Sequence, residues 1–529
     1  MKTSSAYIIP ADFPDPDIIR VNDTYYMVST TMHFMPGCVI LRSHNLTDWE
    51  HAAYVYDELE RTPGQTLSDN KGVYGKGMWA ACLRYHNNKF YISFVANDTH
   101  KTYLFTSDKI EGPWKRSEIQ GFYHDMSLLF DDDGRVFCVS GNKDIWLTEF
   151  KEDLSGPKEG GIHKIIVQDD AEKIILGYEG SHFYKINGKY CIFFIHMPKG
   201  KMRTQACFYS DKIEGPYKGG DVLCSDLCGW NSGTAQGGIV QTPDGSWFSV
   251  VFQDHGALGR IPVLVPVDFS KDFPVFGTDG KAPERVSVTD LKPGYEYAPL
   301  YSNDFTNPVW QWNHIPDKSL IEITKNTYSI KNGKLCINPV LAQNTLTQRT
   351  FTEHCTGEVF LDASIINDGD VAGLCALEGE YSFIGITKKS GRLYLIKAEH
   401  KIPYSPWTMS VFDDTQPEIK EEKEIQTPRL FLKAAFSLEH QKEQVQFFYT
   451  LADDSSKNQI TKSAPTAEAL LIPSVSPFTP FGTPAPLRYT LDQFVGVRFA
   501  LFYYSTIKAG GKVVFRDFKM RVGEQNYIY

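Results

Sequence analysis

Aromatic and β-branched residues gather along this chain in short runs, each opening on a turn dipeptide. Asn22-Asp23 precedes TYYMVST, Asn87-Asn88 precedes KFYISFV, and Asp133-Gly134 precedes RVFCVSG. Asn187-Gly188 precedes KYCIFFI, and Asp244-Gly245 precedes SWFSVVF. Runs of this length and composition read as strands, and Asn, Asp and Gly tolerate the positive φ that tight hairpins need. Helical periodicity is scarce. The dipeptides lie 65, 46, 54 and 57 residues apart, the length of one four-stranded sheet with its loops. The pattern predicts a five-bladed β-propeller. A second echo supports it: Ser107-Asp108-Lys109-Ile110-Glu111-Gly112-Pro113-Trp114 returns as Ser210-Asp211-Lys212-Ile213-Glu214-Gly215-Pro216-Tyr217.

From about Asp304-Phe305 the blade signature stops and alternation takes over. Gln348-Arg349-Thr350-Phe351 and Phe494-Val495-Gly496-Val497-Arg498-Phe499 read as strands of an antiparallel sandwich. The expected organisation is all-β, a five-bladed β-propeller over 1–300 and a β-sandwich over 301–529. Glu418 to Ile425, rich in Glu and Lys, reads as a solvated loop. Ser474 to Pro486, with four prolines, reads as a long ordered loop.

The strand before each turn carries the candidate chemistry. Asp15 stands seven residues before the first dipeptide; Trp79, Asp125, Glu179 and Gln236 stand eight before the others. An apolar run follows each after one or two small or turn-compatible residues: PDII, AACL, MSLL, GSHF and GGIV. The first strand of a propeller blade lines the central channel, so these five positions point at one funnel. Singly, an Asp beside a proline is a turn former and a Glu before glycine is solvated. Three carboxylates in one register repel each other, a cost that a structural role does not explain.

Composition narrows the classes. Lys and Arg number 54 against 64 Asp and Glu, a net charge of −10, which argues against a nucleic-acid backbone as partner. The 71 aromatic residues (28 Tyr, 34 Phe, 9 Trp) suit β-structure or a sugar-binding surface. No apolar stretch is long enough for a membrane helix. Pro10 and Asp12 follow the N-terminus too closely for a signal-peptide apolar region. Ten scattered cysteines, several inside strand-like runs, fit a reducing compartment, so a cytoplasmic location is expected. Cys224-x3-Cys228 has no second ligand pair and is read as two incidental thiols.

These segments resemble glycoside hydrolase family 43, five-bladed enzymes that cleave xylosyl and arabinofuranosyl linkages. Phe13-Pro14-Asp15-Pro16-Asp17 is similar to the family's opening Pro-Asp-Pro motif. Gly77-Met78-Trp79-Ala80-Ala81, with Arg84 beyond, resembles its Trp-Ala-Pro segment. His124-Asp125-Met126-Ser127-Leu128-Leu129-Phe130 is similar to Asp-Pro-Ser-Leu-Phe, and Tyr178-Glu179-Gly180-Ser181-His182 to Glu-Gly-Pro. Gln236 stands where many relatives have a His that helps hold a central ion or water, so a structural calcium is not favoured here. The second half resembles the concanavalin-like domain of the β-xylosidase and α-arabinofuranosidase branches.

The resemblance implies an inverting exo-glycosidase acting on terminal β-D-xylosyl or α-L-arabinofuranosyl units of xylan-type glycans. Asp15 is then the general base, Glu179 the general acid, and Asp125 a third carboxylate, whose charge keeps the acid protonated or whose oxygens orient the acid or bond a sugar hydroxyl. No cofactor is required for that chemistry. Trp79 is expected to stack on sugar, against the alternative of a core Trp between blades. Phe34 is placed near the sugar as well. Arg260 either bonds sugar hydroxyls or holds Asp15 ionised, against a blade-to-blade salt bridge. For His255 and His182 a pocket role stands beside a buried structural one, with His33 and His124 behind them. A sandwich loop is expected to close one side of the funnel. Other readings remain: a non-catalytic carbohydrate-binding propeller, a protein-interaction scaffold, or an arabinan- or fructan-type five-bladed glycosidase. Oligomeric state is left open.

Overall fold

Each turn dipeptide closes the hairpin between the first and second strands of a blade. In the computed structural model, which describes residues 2–271, 273–402, 415–452, 478–488 and 493–523, Asn87 and Asn88 take φ of 49° and 59°. Asn187 and Gly188 take 51° and 78°. These left-handed values match the twist of tight hairpins, which is why Asn and Gly recur there. The echoed Lys-Ile-Glu-Gly-Pro segments occupy one turn in two blades, with Gly112 and Gly215 at φ of 91° and 90°.

Five antiparallel blades result. Their innermost strands are Asp17–Val21, Cys82–His86, Ser127–Phe130, Ile174–Ile186 and the pair Thr234–Ala235 and Ile239–Gln241. Neighbouring inner strands touch around the ring. The N-terminal segment closes it: Lys2–Ser5 pairs with Arg285–Val288, and Ile8 N–H donates to the Pro262 carbonyl of blade 5 at 3.1 Å.

A buried polar network fills the axis and links all five blades. Asp17 (blade 1) accepts from Arg84 Nη1 (blade 2) at 2.7 Å and from the Leu83 N–H at 2.8 Å. Arg84 also donates to the Ser127 hydroxyl and the Leu128 carbonyl of blade 3. From blade 4, His182 Nδ1 lies 3.1 Å from Asp17, and the Tyr184 hydroxyl donates to it at 3.3 Å. That hydroxyl accepts the Ile239 N–H of blade 5. Burial alone would raise the Asp17 carboxyl; Arg84 and His182 more than offset this and hold it well below the usual carboxylate range. His182 therefore has a structural partner.

The second half forms two eight-stranded sheets. One contains Glu418–Ile425, Arg392–His400, Tyr381–Lys389, Asp370–Leu377, Arg498–Ser505, Leu346–Arg349 and Gln311–Asn313, and its last strand is Phe34–Met35 of the propeller. Met35 pairs with Trp312 and Phe34 with Asn313. The two halves thus share a sheet.

Three expectations need correcting. Glu418–Ile425 is a strand, not a loop: it forms the sheet edge, where seven of its eight residues are exposed and charge protects the unpaired side. Of the segment from Phe494 to Phe499, only the end is strand, which begins at Arg498; Phe494 to Val497 is a loop. The proline-rich stretch falls partly outside the described residues. Its described part carries two short strands, Thr479–Pro480 and Ala485–Pro486, both paired with Gln444–Leu451.

Candidate active site

Three of the five positions singled out by register share an unusual backbone. Asp15, Asp125 and Gln236 have φ of 52°, 48° and 58°, and Gly180, just after Glu179, has 61°. Left-handed residues at the entry to inner strands turn the chain sharply before the apolar run begins. For Asp and Gln this is a sparsely populated conformation that the surrounding fold must enforce. In blade 4 the pairing register slips on either side of Glu179.

Asp15 is buried. Arg260 Nη1 donates to Asp15 Oδ1 at 2.8 Å, while Arg260 Nη2 donates to the Phe494 carbonyl at 2.9 Å. Burial raises the Asp15 carboxyl above its ordinary range, against the Arg260 charge and a Thr30 hydroxyl contact; the negative charge of Asp125 adds to the rise.

Asp125 is equally buried, and its Oδ2 accepts the Gly180 N–H at 2.9 Å. Its carboxyl is also raised, by burial first and by Glu179 as well, with His124 and the Gly180 N–H opposing. Glu179 is more open. Its Oε2 accepts from the Asn142 side-chain amide and lies 3.5 Å from His124 Nε2, which is 3.6 Å from Asp125 Oδ2. Burial opposes a charge on His124, but Asp125, Glu179 and Asp15 together raise it to about 9. One imidazole therefore feels all three carboxylates. Among the described residues, His124, Asp125 and Glu179 form the one group of such side chains whose nitrogen and oxygen atoms lie within 4.8 Å of each other, and the raised His124 sits there as a cation between carboxylates.

The remaining candidates separate by exposure. Trp79 is half-buried at the rim; its indole N–H donates to the Gly75 carbonyl at 3.1 Å. It meets the rings of His124 and Phe494 edge-on at 5.7 and 5.5 Å. Gln236 packs against Gly180, where an added Cβ would fall 2.6 Å from its Cγ. Phe34 and His255 present almost no free face, at 1% and 0% exposure. Phe34 lies 3.4 Å beneath the Arg498 guanidinium of the sandwich. His255 stacks on Trp230 at 4.4 Å, and burial lowers it to about 3. The docked sandwich covers Phe34, while Tyr7 and Trp230 of the propeller enclose His255, so both support the site from behind. His33 is likewise buried, 4.7 Å from the ring of His314.

Four participants had little or no sequence signal. Asn142 ends the second strand of blade 3. His124 had only its place beside Asp125. Phe494 brings a sandwich loop to the rim, against Trp79 and Arg260. Asp12 pins that loop: its Oδ1 accepts the Arg260 N–H at 2.8 Å and its Oδ2 the Gly496 N–H at 3.0 Å.

A closed propeller with acidic side chains gathered at one end of its axis, an arginine and an aromatic among them, is the arrangement of a glycoside hydrolase. Residues 6–274 match the model of glycosyl hydrolases family 43, and residues 301–521 match the β-xylosidase C-terminal concanavalin A-like domain. The chain belongs to glycosyl hydrolase family 43, and its substrate is a carbohydrate. It is 27% identical to a β-xylosidase of Formosa agariphila over 74% of this chain and 76% of that one. It is 26% identical to a non-reducing-end α-L-arabinofuranosidase of Bacteroides ovatus, over 64% of this chain and 66% of that one. The solved structure of a bifunctional GH43-CE protein from Bacteroides eggerthii superposes with a TM-score of 0.84 at 36% identity, covering 98% of this chain. This chain spans 64% of that longer protein.

Proposed function

We propose that the protein is an inverting exo-glycosidase that removes terminal β-D-xylosyl or α-L-arabinofuranosyl units from xylan- or arabinoxylan-type chains. The observation that carries this reading is one imidazole, His124, within electrostatic reach of Asp15, Asp125 and Glu179, which come from three different blades. Glycosidic cleavage needs one carboxyl to protonate the leaving oxygen and another to act at the anomeric centre. In the inverting course, Asp15 takes a proton from water as that water adds to the anomeric carbon. Glu179 gives its proton to the departing oxygen, which keeps the bonding electrons. Asp125, held by the Gly180 N–H, sets a third carboxyl beside the acid. The chemistry uses side chains alone and calls for no cofactor.

The half-buried Trp79 supplies an apolar face for a sugar ring, and the Phe494 loop walls one side of the funnel. A walled funnel accepts a chain end and refuses a continuous polymer. The test is a panel of nitrophenyl pentosides with the product anomer followed by NMR. Release of xylose or arabinose with inverted configuration is expected. Retention would replace the base with a nucleophile, and binding without turnover would make the protein a lectin-like propeller.

A further inference from the structure

Glu179 Oε2 and Oε1 stand in different surroundings. Oε2 faces two nitrogen donors, the Asn142 amide and the His124 imidazole. Among the described residues no hydrogen bond reaches Oε1. A carboxyl oxygen that accepts N–H bonds is a poor place for a proton, so the acidic proton sits on Oε1, the oxygen free to meet a leaving group. His124 is itself fixed by Asp125 on its own segment and by the edge of the Trp79 ring from blade 2. The other charges facing it are Asp15 from blade 1 and, through Asp15, Arg260 from blade 5.

We propose that His124 is a positioning residue for the proton donor: as an imidazolium between Asp125 and Glu179, it selects the oxygen of Glu179 that carries the proton and offsets the charge left there after transfer. The inference rests on the reading of Glu179 as general acid. When Glu179 gives its proton to the glycosidic oxygen, the C–O bond electrons stay with the leaving group and Glu179 becomes a carboxylate. The Nε2 cation, 3.5 Å away, stabilises that product state. Asp125 pulls the other way, so the pair sets how readily the proton is released.

Two variants separate charge from shape. His124→Gln keeps a donor near the Nε2 position and loses the charge; His124→Phe keeps a ring against Trp79 and loses both. In His124→Gln, kcat on unactivated disaccharides falls about 100-fold, but on aryl pentosides with good leaving groups less than tenfold, with KM unchanged. The alkaline limb of its rate profile moves to higher pH. His124→Phe loses more on both substrate classes. Equal losses on both classes in His124→Gln, with the limb in place, would reduce His124 to a packing residue and overturn the proposal.

A readout independent of turnover is the titration of His124 in the labelled full-length protein by NMR. Its midpoint lies above the ordinary imidazole range in the wild type and falls in Glu179→Gln. An unmoved midpoint also overturns the proposal. A wild-type protein that cleaves no pentoside would sink the functional reading while leaving this coupling measurable.

Discussion

Arg260 spans the two halves of the molecule at the point of chemistry, 2.8 Å from the Asp15 carboxylate and 2.9 Å from the Phe494 carbonyl. A lysine reaches one of these oxygens but not both, and it lacks the planar fork. Arg260→Lys is therefore expected to lower kcat/KM about 100-fold, through misplacement of the base and the sandwich loop together. Circular dichroism and the unfolding midpoint should stay close to wild type; near-native activity would deny Arg260 its part in holding Asp15.

Asp15→Asn and Glu179→Gln should differ in kind. Both remove a proton-transfer group worth about 10²–10⁴ in rate. A good leaving group needs no proton, so Glu179→Gln should keep much of its activity on dinitrophenyl pentosides and lose it on disaccharides. Asp15→Asn should be inert on both. A matching loss across leaving groups in Glu179→Gln would reassign the acid.

Gly180 holds two relationships at once. Its N–H binds Asp125, and its missing side chain makes room for Gln236. Gly180→Ala adds a methyl 2.6 Å from Gln236 Cγ at a φ of 61°. The strain is expected to cost about 1–3 kcal/mol and to lower kcat by shifting Asp125 and Glu179. Unfolding and kinetics on one preparation check both.

The axial network predicts a stability effect with no catalytic cause. Asp17→Ala leaves Arg84 buried among carbonyls without its carboxylate, which costs about 3–5 kcal/mol. The unfolding midpoint of the propeller should drop sharply while KM of the folded fraction stays put. A wild-type midpoint would mean that water or neighbouring groups replace Asp17.

Acid sensitivity has identifiable sources in His255, His314 and His33. All three are buried and lowered, His255 and His314 to about 3 from an ordinary 6.5. The unfolded chain takes up these protons below pH 6.5 and the folded one does not. Their stabilisation is therefore complete above pH 6.5 and is lost as pH falls from there towards 3. Among the described residues neither ring nitrogen of His255 has a hydrogen-bond partner, so His255→Phe keeps the stack on Trp230 without the titration. Thermal unfolding should show the variant losing about 2 kcal/mol less than wild type between pH 6.5 and 5.

The ring and its acidic register were readable from the chain because they are local and repeated: one turn, one strand, one residue at a constant offset. Asp15, Asp125, Glu179 and Gln236 come out of that counting. Partners set by docking the sandwich do not. Phe494 lies 479 positions from Asp15, and no periodicity connects them. Phe34 reads as a pocket residue because the surface that buries it belongs to the other half; His255 does so because Tyr7 and Trp230, which enclose it, are distant in sequence. Glu418–Ile425 reads as a loop because an edge strand with charge on both faces has no apolar alternation to detect.

Asp12 grips Arg260 with one oxygen and Gly496 with the other. A carboxylate clasped in this way ties the propeller's mouth to its lip. Parting them for a bulkier branch breaks both bonds, so descendants of this enzyme with an appetite for larger glycans would gain most by trimming or rebuilding the 493–497 lip itself.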